Sequence, residues 1–313
     1  MSFLNEFSWS AKKDKTFKTC QRKYYFDCYG YFNGWFPESP QKAKDLYQLK
    51  KLKSIPLWVG GLVRDNIRKI LETIKEGKKP TLEQALIDLE TKFEEELKQS
   101  ENEEYKKDIK RFLRLQEHDY GLFIQEDDLK QKLEFAKNYL KNFYESKLFE
   151  EIKKTDPNLW ILRNKSHFPH FFFEGTKVYC MYDLAIPKND LLTVYDWTTG
   201  SESDENEEVD RKDMLLLYFS KKRTVDCNKF SVKRIFLKNN FVELTTFNST
   251  DLIKTENYMH KSIEGMKCLL DDKIANTTSE QNYKKTDIEG NCKFCNFKKH
   301  CLPDSPSEFR GYE

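Results

Sequence analysis

The sequence has no apolar run near the roughly 20 residues that a membrane-spanning helix needs. Its N-terminal stretch, MSFLNEFSWSAKKDK, lacks an apolar segment followed by a small-residue cleavage site, so it does not look like a secretory signal peptide. No internal repeat is visible either. From these absences we expect a cytoplasmic protein without a membrane partner.

A large excess of charge of one sign is also missing. The 54 basic and 52 acidic residues leave a net charge of +2. Overall charge therefore neither predicts nor excludes a nucleic-acid partner, and only local clustering of basic residues is informative. Apolar residues make up 38% of the chain and charged residues 34%, which indicates a highly charged, hydrated surface around a modest apolar core.

The composition and hydrophobic periodicity of the sequence change along the chain and divide it into four parts. Residues 1–79 and 80–156 have helical periodicity. In the first part Ser10 could cap a helix through AKKDKTFKTCQRKYYFDCYG, and the second part begins with a capping box in which Thr81 precedes Gln84 by three residues. Residues 157–280 contain short runs rich in Phe, Tyr and Val, which predict strands with turns at PKND and at Asn239–Asn240. They also contain two predicted helices, RKDMLLLYFSKKR and one from about 250 to 272. Residues 281–313 form a cysteine-bearing tail. Helices followed by a small sheet indicate an α/β fold of the α+β kind, not a doubly wound one.

The tail contains three of the eight cysteines in a close group. Cys292 and Cys295 are spaced C-x2-C, and Cys301 follows five residues later. This spacing lets a turn aim two sulfurs at one metal ion or cluster, and a reducing compartment disfavours disulfides. The fourth ligand could be His300, which would close a zinc site. It could also be Cys20, which would complete an iron–sulfur cluster of four thiolates and tie the chain ends together.

Two aspartates stand near the ends of predicted strands. Asp183 lies in YCMYDLAI, and Asp196 lies in TVYDWTTG. On neighbouring strands, both carboxylates and a backbone carbonyl such as that of Trp197 would offer hard oxygen ligands to Mg²⁺ or Mn²⁺. Taken alone, either aspartate could merely cap a turn.

A basic stretch near the start could contact DNA. KKDKTFKTCQRKYYF interleaves lysines and arginine with Phe17, Tyr24 and Tyr25, a pattern that suits phosphate contacts and base stacking on single-stranded or frayed DNA. An amphipathic helix with its rings in the core explains the same pattern. The acidic loop at 202–210 would repel DNA, so we expect it at a rim or against a protein partner.

Five stretches, taken in order from Trp9 to Cys301, resemble the RecB-type PD-(D/E)XK nuclease superfamily. They are FSWSAKKDKTFKTCQRKYYFDCYGYFNGW, GGLVRDNI, CMYDLAI with TVYDWTTG, DMLLLYF and CKFCNFKKHC. The most similar branch carries an iron–sulfur cluster and includes AddB-type nuclease domains and CRISPR-associated RecB-like nucleases. The resemblance implies a restriction-endonuclease-like core sheet flanked by helices. It also implies a [4Fe–4S] cluster held by Cys20, Cys292, Cys295 and Cys301.

The family's catalytic positions carry over only in part. The resemblance assigns the metal-binding carboxylates to Asp183 and Asp196. Arg64 stands where the family has a histidine, and Thr198 stands where it has the catalytic lysine. In the following helix Met214 replaces a glutamine, whereas Tyr218 is retained. A threonine cannot replace the charge of a lysine, and loss of such a stabiliser typically costs about 10²–10³ in rate.

Three functions remain open from these residues. The first is a DNA-binding protein with an impaired active site that works as a subunit or partner in DNA processing or defence. The second is an active Mg²⁺- or Mn²⁺-dependent DNA exonuclease or endonuclease whose lysine comes from elsewhere, with four candidates: Lys177, Lys212, Lys221 and Lys222. Lys212 lies only two positions before Met214, so it could point away from the site. The third is a structural, metal-bearing interaction protein.

Overall fold

The structure is a computed structural model that describes residues 4–122, 124–163, 168–200 and 208–302, together with the side chains of these residues except 208–211. The acidic loop expected at 202–210 lies outside the described side chains. Within the described residues the fold is α+β, as the sequence predicts. None of the helices described is both long enough and apolar enough to cross a membrane.

The helices and strands are numbered here in chain order. The helices are α1 Ala11–Thr19, α2 Gln21–Tyr25, α3 Gln41–Lys50, α4 Ile55–Lys75, α5 Leu82–Glu101, α6 Gln116–Asp119, α7 Glu126–Glu145, α8 Lys147–Lys153, α9 Glu208–Lys222, α10 Ser249–Lys267, α11 Gly290–Lys293 and α12 Lys298–Cys301. The strands are β1 Ser8–Trp9, β2 Ile161–Leu162, β3 His170–Phe173, β4 Thr176–Tyr179, β5 Leu184–Lys188, β6 Leu191–Thr198, β7 Phe230–Phe236 and β8 Phe241–Thr246.

The chain divides into two compact units, each built from separate stretches of sequence. Unit 1 contains Met1–Ile55, Glu96–Ile124 and Met259–Glu313, and unit 2 contains Pro56–Glu95 and Gln125–Tyr258. The two ends of the chain therefore belong to the same unit, and the two aspartates singled out above belong to the other.

Unit 1 is a helical assembly with one apolar core. Ser10 caps α1, because its side chain accepts a hydrogen bond from the Lys13 amide. The helical stretch predicted after Ser10 is interrupted at Cys20, whose backbone is extended, and it continues as α2 and a π-helical turn at Phe26–Gly30. Six buried side chains form the core cluster, against which Cys295 and Cys301 pack: Phe26, Leu46, Leu49, Leu52, Tyr120 and Phe297.

Unit 2 is built around a five-stranded sheet with the order β2-β5-β6-β7-β8. Strands β5 and β6 form an antiparallel hairpin whose two-residue turn, Asn189–Asp190, has positive φ at both positions, as a tight hairpin turn requires. Helix α9 then crosses over to β7, which pairs parallel to β6, and β8 returns antiparallel to β7. The turn between β7 and β8 includes Asn239 and Asn240, where the sequence predicts it.

Candidate functional site

The hairpin register places the two aspartates opposite each other. Leu184 pairs with Tyr195 across the β5–β6 ladder, so the next position outward sets Asp183 against Asp196. Side chains that are directly opposite in an antiparallel pair have Cβ atoms about 4.5–5.5 Å apart, and two like charges so placed repel. The carboxylates converge as the sequence predicts, and they need positive charge nearby.

Arg64 of helix α4 supplies the first positive charge. Its Nη2 donates to Asp183 Oδ1 and Oδ2, at 2.9 and 3.0 Å, and lies 3.3 Å from Asp196 Oδ1. The pKa of Arg64 is raised above its usual value, and the charge of Asp183 makes the largest contribution. The guanidinium therefore bridges the two carboxylates.

A glycine one helical turn earlier lets Arg64 reach this position. A Cβ added at Gly60 would lie 2.7 Å from the Thr199 hydroxyl oxygen, so α4 passes close to the end of β6 at Gly60. Residues four apart lie on the same face of a helix, so the close approach at Gly60 also brings Arg64 to the sheet. The GGLVR motif thus has a packing reason for its first glycine.

Lys212 of helix α9 supplies the second positive charge. Its ammonium forms an ion pair with Asp196 Oδ2. Burial alone would raise the pKa of Asp196, but Lys212 and Arg64 more than offset this, and the pKa lies below its usual value. Among the four lysines considered from the sequence, Lys212 is therefore the one that reaches the aspartates. Although Lys212 lies two residues before Met214, its side chain points towards the aspartates and not away from them.

The remaining carboxylate contact comes from the backbone. The Trp197 amide donates to Asp183 Oδ2 at 3.0 Å. Asp183 and Asp196 together thus have a protein donor at each of their four oxygens. Trp197 was considered for its carbonyl, whereas the hydrogen bond observed uses its N–H.

Two other predicted positions contribute little to the pair. Thr198 ends β6, and its hydroxyl accepts a hydrogen bond from the Gly200 amide at 3.1 Å. Tyr218 is buried, with its ring 4.9 Å from that of Phe171 and 5.5 Å from that of Phe173, so it belongs to the packing of α9 on strand β3. The cavity beside Asp183 is only about 10 Å³, enough for one water molecule.

Sequence reasoning missed a second buried ion pair next to the site. Arg234 on β7 donates to Asp213 Oδ1 at 3.2 Å, and both residues are only 3% exposed or less. Thr245 donates to the other Asp213 oxygen at 3.1 Å. Burial nevertheless raises the pKa of Asp213 to about 6. A charged residue within each of two apolar stretches, DMLLLYF and VKRIF, was the signal that could have revealed the pair.

The four cysteines expected to hold a cluster all lie in unit 1. Burial raises the pKa of Cys295 and of Cys301, and the nearby thiols of Cys20 and Cys292 raise both further. Asn291 Nδ2 also donates to the Thr19 carbonyl at 3.4 Å, which joins the residues before Cys20 and Cys292. No three histidine, cysteine, aspartate or glutamate side chains in the described ranges are set in a metal-binding arrangement.

His300, the alternative zinc ligand, is used in packing. Its ring stands edge-on to Phe26 with centroids 5.3 Å apart, and burial lowers its pKa. Positive groups surround the thiols instead. Lys23 lowers the pKa of Cys295, and Lys285 and Arg22 lower that of Cys301, in each case against the effect of burial. Cations near thiols favour the thiolate, which is the form that binds iron or zinc.

Of the aromatic residues in the basic N-terminal stretch, Tyr24 is buried, whereas Phe17 and Tyr25 are half-buried. Tyr24 is 2% exposed, and its ring lies 5.2 Å from that of Phe17 in an edge-on contact. Lys12, Lys15 and Lys18 are exposed. The stretch is therefore amphipathic at Tyr24, which faces the core, while Lys12, Lys15 and Lys18 face solvent.

Comparison with known proteins gives no relative. No protein-family model matches the sequence, and no curated protein matches it.

Proposed function

We propose that the protein is a DNA-binding member of the PD-(D/E)XK nuclease superfamily with an impaired catalytic centre. The arrangement in unit 2 supports this proposal. Asp183 immediately precedes β5, Asp196 lies on the neighbouring strand β6, and helix α9 follows, which is the order that the resemblance implies. The protein would act as a subunit or partner in DNA processing or defence.

The bridging position of Arg64 carries the proposal. A Mg²⁺ or Mn²⁺ ion needs several oxygen ligands at short range. Here one guanidinium nitrogen lies within 3.3 Å of three of the four carboxylate oxygens, and Lys212 pairs with the fourth. The charges of two aspartates and two cations also cancel, which leaves no net negative charge to attract a divalent ion. The residues present therefore do not fit a metal ion.

A basic surface in unit 1 supports DNA binding. Residues 11–23 contain six basic residues and one acidic residue, and residues 284–299 contain five lysines and two acidic residues. The structure joins these segments: the Arg22 amide donates to the Lys284 carbonyl at 2.9 Å, and Arg22 Nε donates to the Tyr283 carbonyl at 2.9 Å. In these segments Arg22 pairs with Glu280, whereas five lysines are exposed: Lys12, Lys15, Lys18, Lys284 and Lys285. Exposed lysines attract the phosphate backbone.

The four cysteines fit a [4Fe–4S] cluster in their chemistry. Cys20, Cys292, Cys295 and Cys301 would hold it, and Lys23 beside Cys295, and Lys285 and Arg22 beside Cys301, oppose the rise in pKa that burial causes at those two thiols. A cluster there would tie α1 and α2 to the C-terminal tail, the same two segments that form the basic surface. Its role in this proposal is structural.

The contact of Lys212 favours a second candidate function. A lysine that reaches Asp196 from α9 is the relocated cation that an active Mg²⁺- or Mn²⁺-dependent nuclease would need. Under this alternative Arg64 would have to leave the carboxylates. A structural, metal-bearing interaction protein remains a third candidate, and it predicts no affinity for DNA.

Incubation with labelled single-stranded and duplex DNA in the presence of Mn²⁺ tests the three candidates. We expect retention of DNA that weakens steeply with salt, and no cleavage products. Products that disappear in Asp196→Ala would support the active nuclease and overturn the impaired centre. Failure to retain DNA at low salt would leave only the interaction protein.

A further inference from the structure

We propose that unit 1 carries a binding strip for single-stranded DNA on helix α3 and the segments beside it. This inference rests on the proposed DNA-binding function and adds a location and a strand type to it. The aromatic–lysine strip consists of five rings and four lysines: Tyr31, Phe32, Trp35, Phe36, Tyr47, Lys50, Lys51, Lys53 and Lys110.

The rings of the strip form one connected set. Trp35 contacts Phe32, Phe36 and Tyr47, with centroid distances of 5.3, 5.6 and 5.8 Å. Tyr31 stacks on Tyr47 at 6.4 Å with an interplanar angle of 15°. Tyr31, Phe32, Trp35 and Phe36 are half-buried and Tyr47 is buried, so the first four present only part of each ring to solvent.

Phe32 and Phe36 line an open cleft of about 410 Å³, a volume suited to a small planar group. Asn33 also lines this cleft, but its Oδ1 is buried, so the phenyl rings are what the cleft offers to a ligand. A nucleobase has a flat face that stacks on such a ring.

The backbone holds the cleft in a fixed form. Ser39 Oγ donates to the Asn33 carbonyl at 2.6 Å, and Asn33 adopts a positive φ of 64°. Any Cβ at Gly34 would lie 2.1 Å from the Ala43 carbonyl oxygen, so only glycine fits this close approach to α3. Rings that are already ordered lose little entropy when a ligand binds.

Lysines continue the strip from the rings. Lys50 Nζ lies 3.5 Å from the centroid of the Tyr31 ring, and Lys51 Nζ lies 5.4 Å from that of Tyr47. The pKa of Lys51 is lowered by burial and then by repulsion from Lys50, Lys110 and Lys53. In the part of the chain that the structure describes, none of Lys51, Lys53 and Lys110 forms an ion pair with a carboxylate. Three crowded cations of this kind favour a polyanion.

Acidic groups near the strip neutralise only part of its charge. Lys50 pairs with Asp27, its Nζ lying 3.6 Å from Asp27 Oδ1 and 2.5 Å from the Asp27 carbonyl oxygen. Asp108 accepts from the Lys110 amide at 2.8 Å, and Glu38 lies at the cleft. Partly exposed rings beside lysines suit a single strand, because unpaired bases stack on the rings while the lysines follow the phosphates. A duplex hides its base faces, and an uncharged peptide would not use the lysines.

Fluorescence anisotropy with a labelled oligodeoxyadenylate, and with the same strand carrying abasic sites, tests the strip. Lys51→Gln with Lys53→Gln should reduce the salt slope of log affinity by about 1.4, because each phosphate contact to a single strand contributes about 0.7. Phe36→Ala should weaken adenylate binding about 10-fold and leave binding of the abasic strand unchanged.

The matched controls are exposed residues of helices α7 and α8. They are Lys130→Gln with Lys147→Gln for the lysines, and Phe135→Ala, which is 42% exposed, for the ring. Strip variants that behave like these controls, in a wild-type protein that does bind DNA, would overturn the strip alone. A wild-type protein that binds neither strand would overturn the proposed DNA binding as well.

Discussion

Arg64 Nη2 donates to both carboxylate oxygens of Asp183, at 2.9 and 3.0 Å, across 119 positions of sequence. The contact places a fixed guanidinium between two carboxylates that would otherwise repel each other. Lys212 pairs with the remaining oxygen, Asp196 Oδ2, so two cations balance the two carboxylates.

The first prediction concerns stability. Arg64→Met keeps much of the aliphatic stem and removes the charge, so it should lower the free energy of unfolding by about 2 kcal/mol because two facing carboxylates lose their common partner. Urea denaturation at neutral pH measures this loss. Adding Asp183→Asn should restore part of it, and a double variant no more stable than Arg64→Met would argue against repulsion as the cause.

The second prediction concerns metal binding. Wild-type protein should show no Mn²⁺ binding at the aspartates, whereas Arg64→Met should bind Mn²⁺, because removal of the guanidinium leaves a net negative site. Titration calorimetry measures binding without any assay of activity. Asp196→Asn in the Arg64→Met background is the control and should abolish the heat. Equal Mn²⁺ binding by wild type and Arg64→Met would refute the idea that Arg64 replaces the metal.

The third prediction follows from the pKa of Asp213, which burial raises to about 6 from 3.8. Above pH 6 the folded protein carries a carboxylate that its surroundings disfavour, and this cost disappears as the pH falls towards 4. Asp213→Asn should therefore be more stable than wild type at pH 7–8, by at most about 3 kcal/mol, since one pKa unit corresponds to about 1.4 kcal/mol. The difference should shrink steadily between pH 7 and pH 4. Urea midpoints measured across this range decide it, and a constant difference would contradict it.

The fourth prediction compares two adjacent glycines in α4. A Cβ at Gly61 meets nothing within 4 Å, so Gly61→Ala should stabilise the protein by up to about 1 kcal/mol through helix propensity. A Cβ at Gly60 would lie 2.7 Å from the Thr199 hydroxyl oxygen, so Gly60→Ala should lose this gain or destabilise. Thermal unfolding of the two variants is the measurement. Equal stabilisation by both would show that α4 does not depend on the close approach at Gly60.

The fifth prediction concerns the cysteines. Protein purified without oxygen should contain iron and acid-labile sulfide, and Cys20→Ser should lose most of both because one of four thiolate ligands is gone. Cys268→Ser is the control, since Cys268 is exposed and lies outside the cysteine-bearing tail at 281–313. Stoichiometric zinc in place of iron, or iron retained in Cys20→Ser, would contradict the assignment.

Local signals in the sequence were sufficient for many elements. The Ser10 cap, the turns at Asn189–Asp190 and Asn239–Asn240, and the Thr81 cap, whose hydroxyl accepts from the Gln84 amide at 3.2 Å, depend on neighbours within a few residues. The second half of the capping box does not form, since the Gln84 side chain donates to Asp88 instead. The strand pattern also sufficed to predict the hairpin that sets Asp183, just before β5, against Asp196 on β6.

The partners of those aspartates could not be inferred in the same way. Whether Lys212 points to Asp196 depends on the rotation of α9 over the sheet, which is set by packing and not by the helix sequence alone. The course of α4 past Thr199 likewise decides what Arg64 contacts.

The sequence by itself determined the α+β class, the hairpin that pairs the aspartates, and the clustering of three cysteines in the tail, because these follow from short-range periodicity and turn chemistry. Only the tertiary structure decided that Arg64 and Lys212 neutralise the aspartates, that Tyr218 is a packing residue, and that both chain ends form one unit. Those outcomes depend on how elements distant in sequence pack together. Packing decides which charged group comes within a few ångströms of a carboxylate, and that group neutralises it.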